Sequence, residues 1–191
     1  LLASEENFPG TEVVGDEINA ESLMVARQRA VLRNAPLNAR RRDTLATNTE
    51  ESLHADLVIA EPPFGMRIDK ESLDPLDPRW VFGIPSMSSS ELLWIQHALF
   101  NLSEEGRGFV LTSHGILGKG GRDEKVRGEI IQSGAVEAIV GLPPKMLPHT
   151  SIPLALWVLR KPQPDAQDIL FVDAAQTENP EHHVGSWLET L

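Results

Sequence analysis

The run Ala55-Asp56-Leu57-Val58-Ile59-Ala60 is almost unbroken in its apolar character and stops at Glu61-Pro62-Pro63-Phe64-Gly65. A strand that is apolar on both sides is expected at the centre of a parallel sheet, where helices cover both faces. Proline has no N–H to give to a ladder, so two in succession forbid pairing past Ala60. The chain must turn there at a stiff corner, with its carbonyls and flanking side chains held in set directions.

The surrounding pattern predicts the rest of an α/β sheet. Glu12–Glu17 reads as a short strand, and Asn19 can cap a helix from about Ala20 to Arg33 with Leu23, Ala26, Ala30 and Val31 on one face. A second strand is expected near Ala39–Leu45. The stretch from about Gly65 to Ser88, rich in Pro, Asp and Ser, reads as a long loop or lid. Ser88 and Glu91 have capping-box spacing, ahead of a helix burying Leu92, Ile95, Leu99 and Leu102. Then follow a strand at Gly106–Thr112, a glycine-rich loop at Gly115–Gly121 and a helix at Asp123–Gln132. Three further strands are expected at Val136–Leu142, Leu154–Arg160 and Ile169–Val172. Alternating strands and helices imply a sheet with helices on both faces, and ligands of such sheets bind beyond the carboxyl ends of the strands. Glu17, Asp43, Glu61 and Ser113 all fall at such ends.

Composition narrows the function. With 41% hydrophobic and 24% charged residues the chain falls in the soluble globular class. No apolar run is long enough for a membrane span, and Leu1-Leu2-Ala3-Ser4-Glu5-Glu6 lacks the regions of a signal peptide, so a cytoplasmic setting is expected. The absence of cysteine excludes disulfides and thiolate metal sites, and the scattered His97, His114 and His149 give no reason to assign a metal. A net charge of −11 argues against a free-standing nucleic-acid binder, because phosphate contacts need clustered cations. Any grip on DNA should come largely from other segments or a partner chain.

Each candidate residue has a plain reading beside a chemical one. Glu17, ending an early strand, can accept hydrogen bonds from ribose hydroxyls, or be a solvated strand-end acid. Asp43 can meet an adenine amino group, or cap a turn. Phe64 can stack on a base, worth roughly 1–3 kcal/mol, or pack in the core behind a rigid proline turn. Gly115–Gly121 is not a Walker loop, for no Lys followed by Ser or Thr has the spacing. It can be a flexible lid. His182-His183 reads as solvated tail, and the four tryptophans as core or interface.

Taken in order and spacing, these segments resemble one family. Gly15-Asp16-Glu17-Ile18-Asn19, Arg42-Asp43-Thr44-Leu45 and Asp56 through Gly65 are similar to successive motifs of the methylation subunit of type I restriction-modification enzymes, the adenine-N6 DNA methyltransferases. Glu91–His97, Gly106-Arg107, Gly115-Ile116-Leu117, Gly120-Gly121, Arg127 and Val136–Pro153 continue the likeness. The resemblance implies a Rossmann-like, three-layer α/β/α sheet of the class I S-adenosylmethionine-dependent kind. It implies a catalytic core over residues 1–176 and a tail, or the start of a further segment, over 177–191. The family's first strand and glycine-rich cofactor loop would precede Leu1, so this piece alone is expected to be inactive.

The implied reaction is methyl transfer from S-adenosylmethionine to the exocyclic amine of adenine in DNA. Glu61 and the Pro62 carbonyl would accept the two amine N–H bonds, with Pro63 stiffening the corner and Phe64 stacking on the extruded base. Glu17 would bind the cofactor ribose and Asp43 its adenine, and Lys119 and Arg122 are candidate DNA contacts. Implied partners are DNA, a specificity subunit and an endonuclease subunit. One departure stands at the centre: the family has Asn or Asp where this chain has Glu61. The alternatives are therefore a non-catalytic module of the same fold that binds DNA or a subunit, and an unrelated nucleotide-binding α/β enzyme such as a dehydrogenase.

Overall fold

A computed structural model describes residues 10–47, 51–69, 71–147, 151–166, 168–177, 183 and 186. The chain forms two compact units, Leu1–Asn48 and Thr49–Leu191.

The first unit is one strand-helix-strand turn. Strand β1 (Val13–Glu17) pairs in parallel with β2 (Leu37–Arg41), Val13 opposite Leu37 and Glu17 opposite Arg41. Parallel neighbours need a crossover, and helix α1 (Ala20–Leu32) supplies it. Its start is fixed as the sequence predicts: Asn19 Oδ1 accepts the N–H groups of Glu21 and Ser22 at 2.9 and 3.0 Å. Leu23 and Ala30 are its buried residues, and Val31, expected beside them, is exposed. Strand β2 begins and ends earlier than expected. Its register is set by β1, and the Arg40 and Arg42 side chains are drawn to Asp16 on that strand, at 3.0 and 3.5 Å.

In the second unit five strands run in the order β3-β4-β6-β5-β7: β3 (Ala55–Ala60), β4 (Leu102–Ser113), β5 (Val136–Gly141), β6 (Leu154–Leu159) and β7 (Leu170–Asp173). Only β6 is reversed, antiparallel to both β4 and β5. Helices α2 (Glu91–Asn101) and α3 (Arg122–Gln132) pack on one face of this sheet. Leu92, Ile95 and Leu99 of α2 and Val126 and Ile130 of α3 meet Val110, Ile139, Trp157 and Leu159, which alternate to that face. Each such side chain contributes on the order of 1.5–3 kcal/mol by leaving water. Trp157 is wholly buried, and its indole N–H donates to Thr112 Oγ1 at 2.9 Å.

Two glycines are dictated by close approach. A Cβ on Gly106 would lie 2.5 Å from the Ala55 carbonyl oxygen, where β4 shifts register against β3. Gly134 has φ +72°, and a Cβ there would come within 1.9 Å of the Gln163 carbonyl.

The Ala55–Ala60 strand forms where expected and pairs in parallel, but its expected central place is corrected. Among the described residues β3 is an edge strand with β4 as its single neighbour, and Ile59 is 59% exposed. An apolar run records that a strand is destined for burial and carries no label for what covers it.

Candidate active site

Glu17 is the last residue of β1, and Asp43 stands two residues past β2, so the first unit brings both acids to the carboxyl ends of its parallel strands. One oxygen of each is already used. Glu17 Oε1 accepts the Asn19 N–H at 2.7 Å. Asp43 Oδ1 accepts the N–H groups of Leu45 and Ala46, both at 3.1 Å, so its turn-capping role is realised. In each acid the second carboxylate oxygen accepts no bond from a described residue.

Within the second unit, Glu61 and Ser113 stand together on one edge of the five-stranded sheet, at the carboxyl ends of the neighbouring strands β3 and β4. Glu61 is exposed and has no hydrogen bond or ion pair among the described residues. Pro62 is buried, Pro63 is exposed and Phe64 is half-buried, so the aromatic ring is not sunk in the core. Gly65 then turns the chain with φ +63°. Strand β5 ends on this edge too, followed by a second proline pair, Pro143-Pro144, and β6 starts from it.

The described residues of the long segment between Gly65 and α2 form no helix or strand, as expected, yet the segment is firmly attached. Arg79, 1% exposed, donates to both oxygens of Asp77, at 2.9 and 2.6 Å, and lies 4.5 Å from the Trp80 ring centre. It also reaches His97 Nδ1 on α2 at 3.1 Å. Since a guanidinium can only donate, His97 must accept at that nitrogen.

The expected capping box does not form. Helix α2 begins on Glu91 itself, with Ser90 as its cap residue and no side-chain cap bond. The Glu91 carboxylate goes instead to the Ser89 hydroxyl, at 2.7 Å, and the Ser113 N–H, at 2.6 Å. A bond to the last residue of β4 outweighs the local one that the spacing suggested.

The glycine-rich stretch is built, not loose. Residues His114–Gly118 form a 3-10 turn, and one guanidinium nitrogen of Arg127 donates to the carbonyls of Ile116 and Lys119, both at 2.9 Å. Lys119 is partnered within the protein, by Ser88 Oγ at 2.8 Å and Asp123 at 3.3 Å, while Arg122 is exposed at the first turn of α3. Buried Asp123 and Ser86, the serine it binds, were not singled out from sequence as site residues. The available signal was Ser86-Met87-Ser88-Ser89-Ser90, a polar run between a proline and an apolar helix that must find partners if it is buried. No group of three or more His, Asp or Glu suited to a metal occurs among the described residues, and none of their helices is long and apolar enough to cross a membrane.

Comparison with known proteins follows the same lines. Residues 2–187 match the N-6 DNA methylase family. The chain is 26% identical over 182 residues to the methylase subunit of the type I restriction enzyme HindI from Haemophilus influenzae, covering 92% of this chain and 40% of that protein. It is also 26% identical over 170 residues to the MjaIX methylase subunit from Methanocaldococcus jannaschii, covering 85% of this chain and 30% of the relative. Among solved structures, the methyltransferase subunit of a type I restriction-modification system from Streptococcus thermophilus superimposes with a TM-score of 0.87 at 23% identity, covering 100% of this chain and 45% of that one. A class I S-adenosylmethionine-dependent methyltransferase from Listeria monocytogenes, described as putative, superimposes at 0.72. The fold is thus that of the class I methyltransferases, and the chain spans well under half the length of these curated relatives.

Proposed function

The chain belongs to the N-6 DNA methylase family, and from that premise we propose that the protein containing it methylates the exocyclic amine of adenine in DNA, as the methylation subunit of a type I restriction-modification system. The observation that carries the proposal is the corner at the end of β3. There an exposed carboxylate, a buried proline and a half-buried aromatic ring follow one another in four residues. The amine of adenine is a weak nucleophile because its lone pair is delocalised into the ring. Two acceptors on its N–H bonds, Glu61 and the Pro62 carbonyl, hold it in line for attack, and alignment of two reactants can supply a large part of a rate. Phe64 stacks on the base once it has left the duplex.

S-adenosylmethionine, when bound, supplies an electrophilic methyl group. The first unit suits it: Glu17 and Asp43 each keep one carboxylate oxygen without a bond from a described residue, at the strand ends where nucleosides bind. Glu17 takes the ribose hydroxyls and Asp43 the adenine amino group. We assign residues 1–176 to the catalytic core and 177–191 to a tail or the start of a further segment, most of which lies outside the described residues, with His182. The partners are DNA and a specificity subunit, with an endonuclease subunit in the complete system. Exposed Arg122 meets the DNA backbone, and Lys119 does so on leaving Asp123. The protein works in the cytoplasm.

The test uses the full-length protein with its specificity subunit, labelled S-adenosylmethionine and DNA digested to nucleosides after reaction. Label in N6-methyl-2′-deoxyadenosine is the expected result. Failure to bind S-adenosylmethionine in calorimetry overturns the proposal. Binding without transfer supports the second reading, a non-catalytic module, which the longer side chain of Glu61 at the reacting position specifically favours.

A further inference from the structure

The segment Ser86–Ser90 lies against the residues that follow the proline corner. Ile68 N–H donates to the Met87 carbonyl at 3.0 Å and Ser90 N–H to the Met66 carbonyl at 2.9 Å, so the chain two residues beyond Phe64 is laced to this strap. The strap is itself held at both ends by buried carboxylates, one from α3 and the other from the residue that follows the strap in the chain. At one end Asp123, 1% exposed, accepts Ser86 N–H at 2.7 Å and Ser86 Oγ–H at 2.6 Å. At the other Glu91, 2% exposed, accepts Ser89 Oγ–H at 2.7 Å and the N–H of Ser113, the last residue of β4, at 2.6 Å. Lys119 closes the arrangement, reaching both Ser88 Oγ and Asp123.

Two carboxylates have left water to make these bonds. Burying charge is a poor route to stability, since well-packed apolar side chains usually do as well or better. What short charge-assisted bonds supply is direction. Without the strap, the chain after Phe64 would have a pivot at Gly65, a glycine at φ +63° with open space where a Cβ would lie. A stacking ring needs its plane held to about half an ångström.

The geometry points to Glu91 and Asp123 as positioning residues, which act through the serine strap to fix the Pro62-Pro63-Phe64 corner against the carboxyl end of β4. The catalytic part of this inference rests on the proposed function. The strap itself does not.

The experiment combines backbone hydrogen exchange with methyl transfer, in the full-length protein bound to its specificity subunit. In Glu91→Ala, exchange at Ser113, Ser90 and Ile68 rises at least about tenfold, because the acceptors or supports of their N–H groups are lost. Glu91→Gln keeps an acceptor for Ser113 and a partner for Ser89, and holds exchange within about threefold of wild type. Methyl transfer follows suit: kcat falls at least about tenfold in Glu91→Ala and largely recovers in Glu91→Gln, while KM for S-adenosylmethionine stays within about twofold. Ser89→Ala removes the hydroxyl's bond to the Glu91 carboxylate and the long one, 3.5 Å, that it accepts from the Glu91 N–H, leaves the Ser113 bond in place, and gives a smaller rise at Ser90 and Ile68. It serves if Glu91→Ala does not accumulate. Unchanged exchange in these variants overturns the strap. Raised exchange with wild-type kcat overturns the positioning role. Raised exchange in a protein whose wild type transfers no methyl group upholds the strap and sinks the proposed function instead.

Discussion

On the proposed function, Glu61 is the residue on which activity turns. Its carboxylate has the acceptor oxygens that the reaction needs, and its extra methylene carries them past the place where a shorter side chain would put them. Because Glu61 is exposed and unbonded among the described residues, shortening it disturbs no other contact. Glu61→Asn should therefore raise methyl transfer at least about tenfold, the equivalent of ~1.4 kcal/mol in barrier height. Single-turnover rates with saturating DNA test this, and equal rates in both proteins would show that acceptor placement at residue 61 is not what limits the reaction. This departure was legible in the sequence, as was the dual nature of Asp43, whose capping of Leu45 and Ala46 is observed. Asp123 and Arg127 were not legible as structural ties. Their bonds, to Ser86 and to the carbonyls of Ile116 and Lys119, depend on which loops the fold brings beside α3.

At the scale of single elements, the starts and periodicities that depend on neighbours in sequence were readable. Asn19 caps α1 because a short acceptor three residues ahead of an N–H is a local matter, and Asn19→Ala should cost about 1 kcal/mol. Urea unfolding of the full-length protein measures it, and a loss of under ~0.3 kcal/mol would mean that water replaces the cap without penalty. Where a distant group competes, local reading fails. Glu91 has the spacing of a capping box, but the Ser113 N–H claims its carboxylate. The reversal of β6 escaped sequence reading for the same reason. Leu154–Leu159 is equally apolar in either direction, and no helix lies between β5 and β6 among the described residues to carry the chain back to the opposite edge.

Over the whole molecule, the α/β class was legible because strand and helix periods alternate, and the likeness to class I methyltransferases extends over the entire chain. The net charge of −11 was read as a weak platform for DNA, and the two candidate cations now differ in standing. Lys119 already serves Asp123 and Ser88, whereas Arg122 is exposed. Removing Arg122 with Arg122→Ala should accordingly weaken DNA binding by the full complex and reduce the slope of log affinity against log salt by about one. An unaltered slope would remove Arg122 from the interface.

The placing of β3 at one limit of the five-stranded sheet, with β7 at the other, has a practical consequence for anyone handling this chain in isolation. Among the described residues each outermost strand has one strand neighbour, so one line of its main-chain donors and acceptors has no strand partner, beside exposed Ile59 on one and exposed Phe171 on the other. The two lines belong to different strands, so docking one on the other is a front-to-back contact, and wherever its rotation fails to close a ring growth is open-ended. Fibrous precipitation, suppressed by Ile59→Lys, is the behaviour to expect.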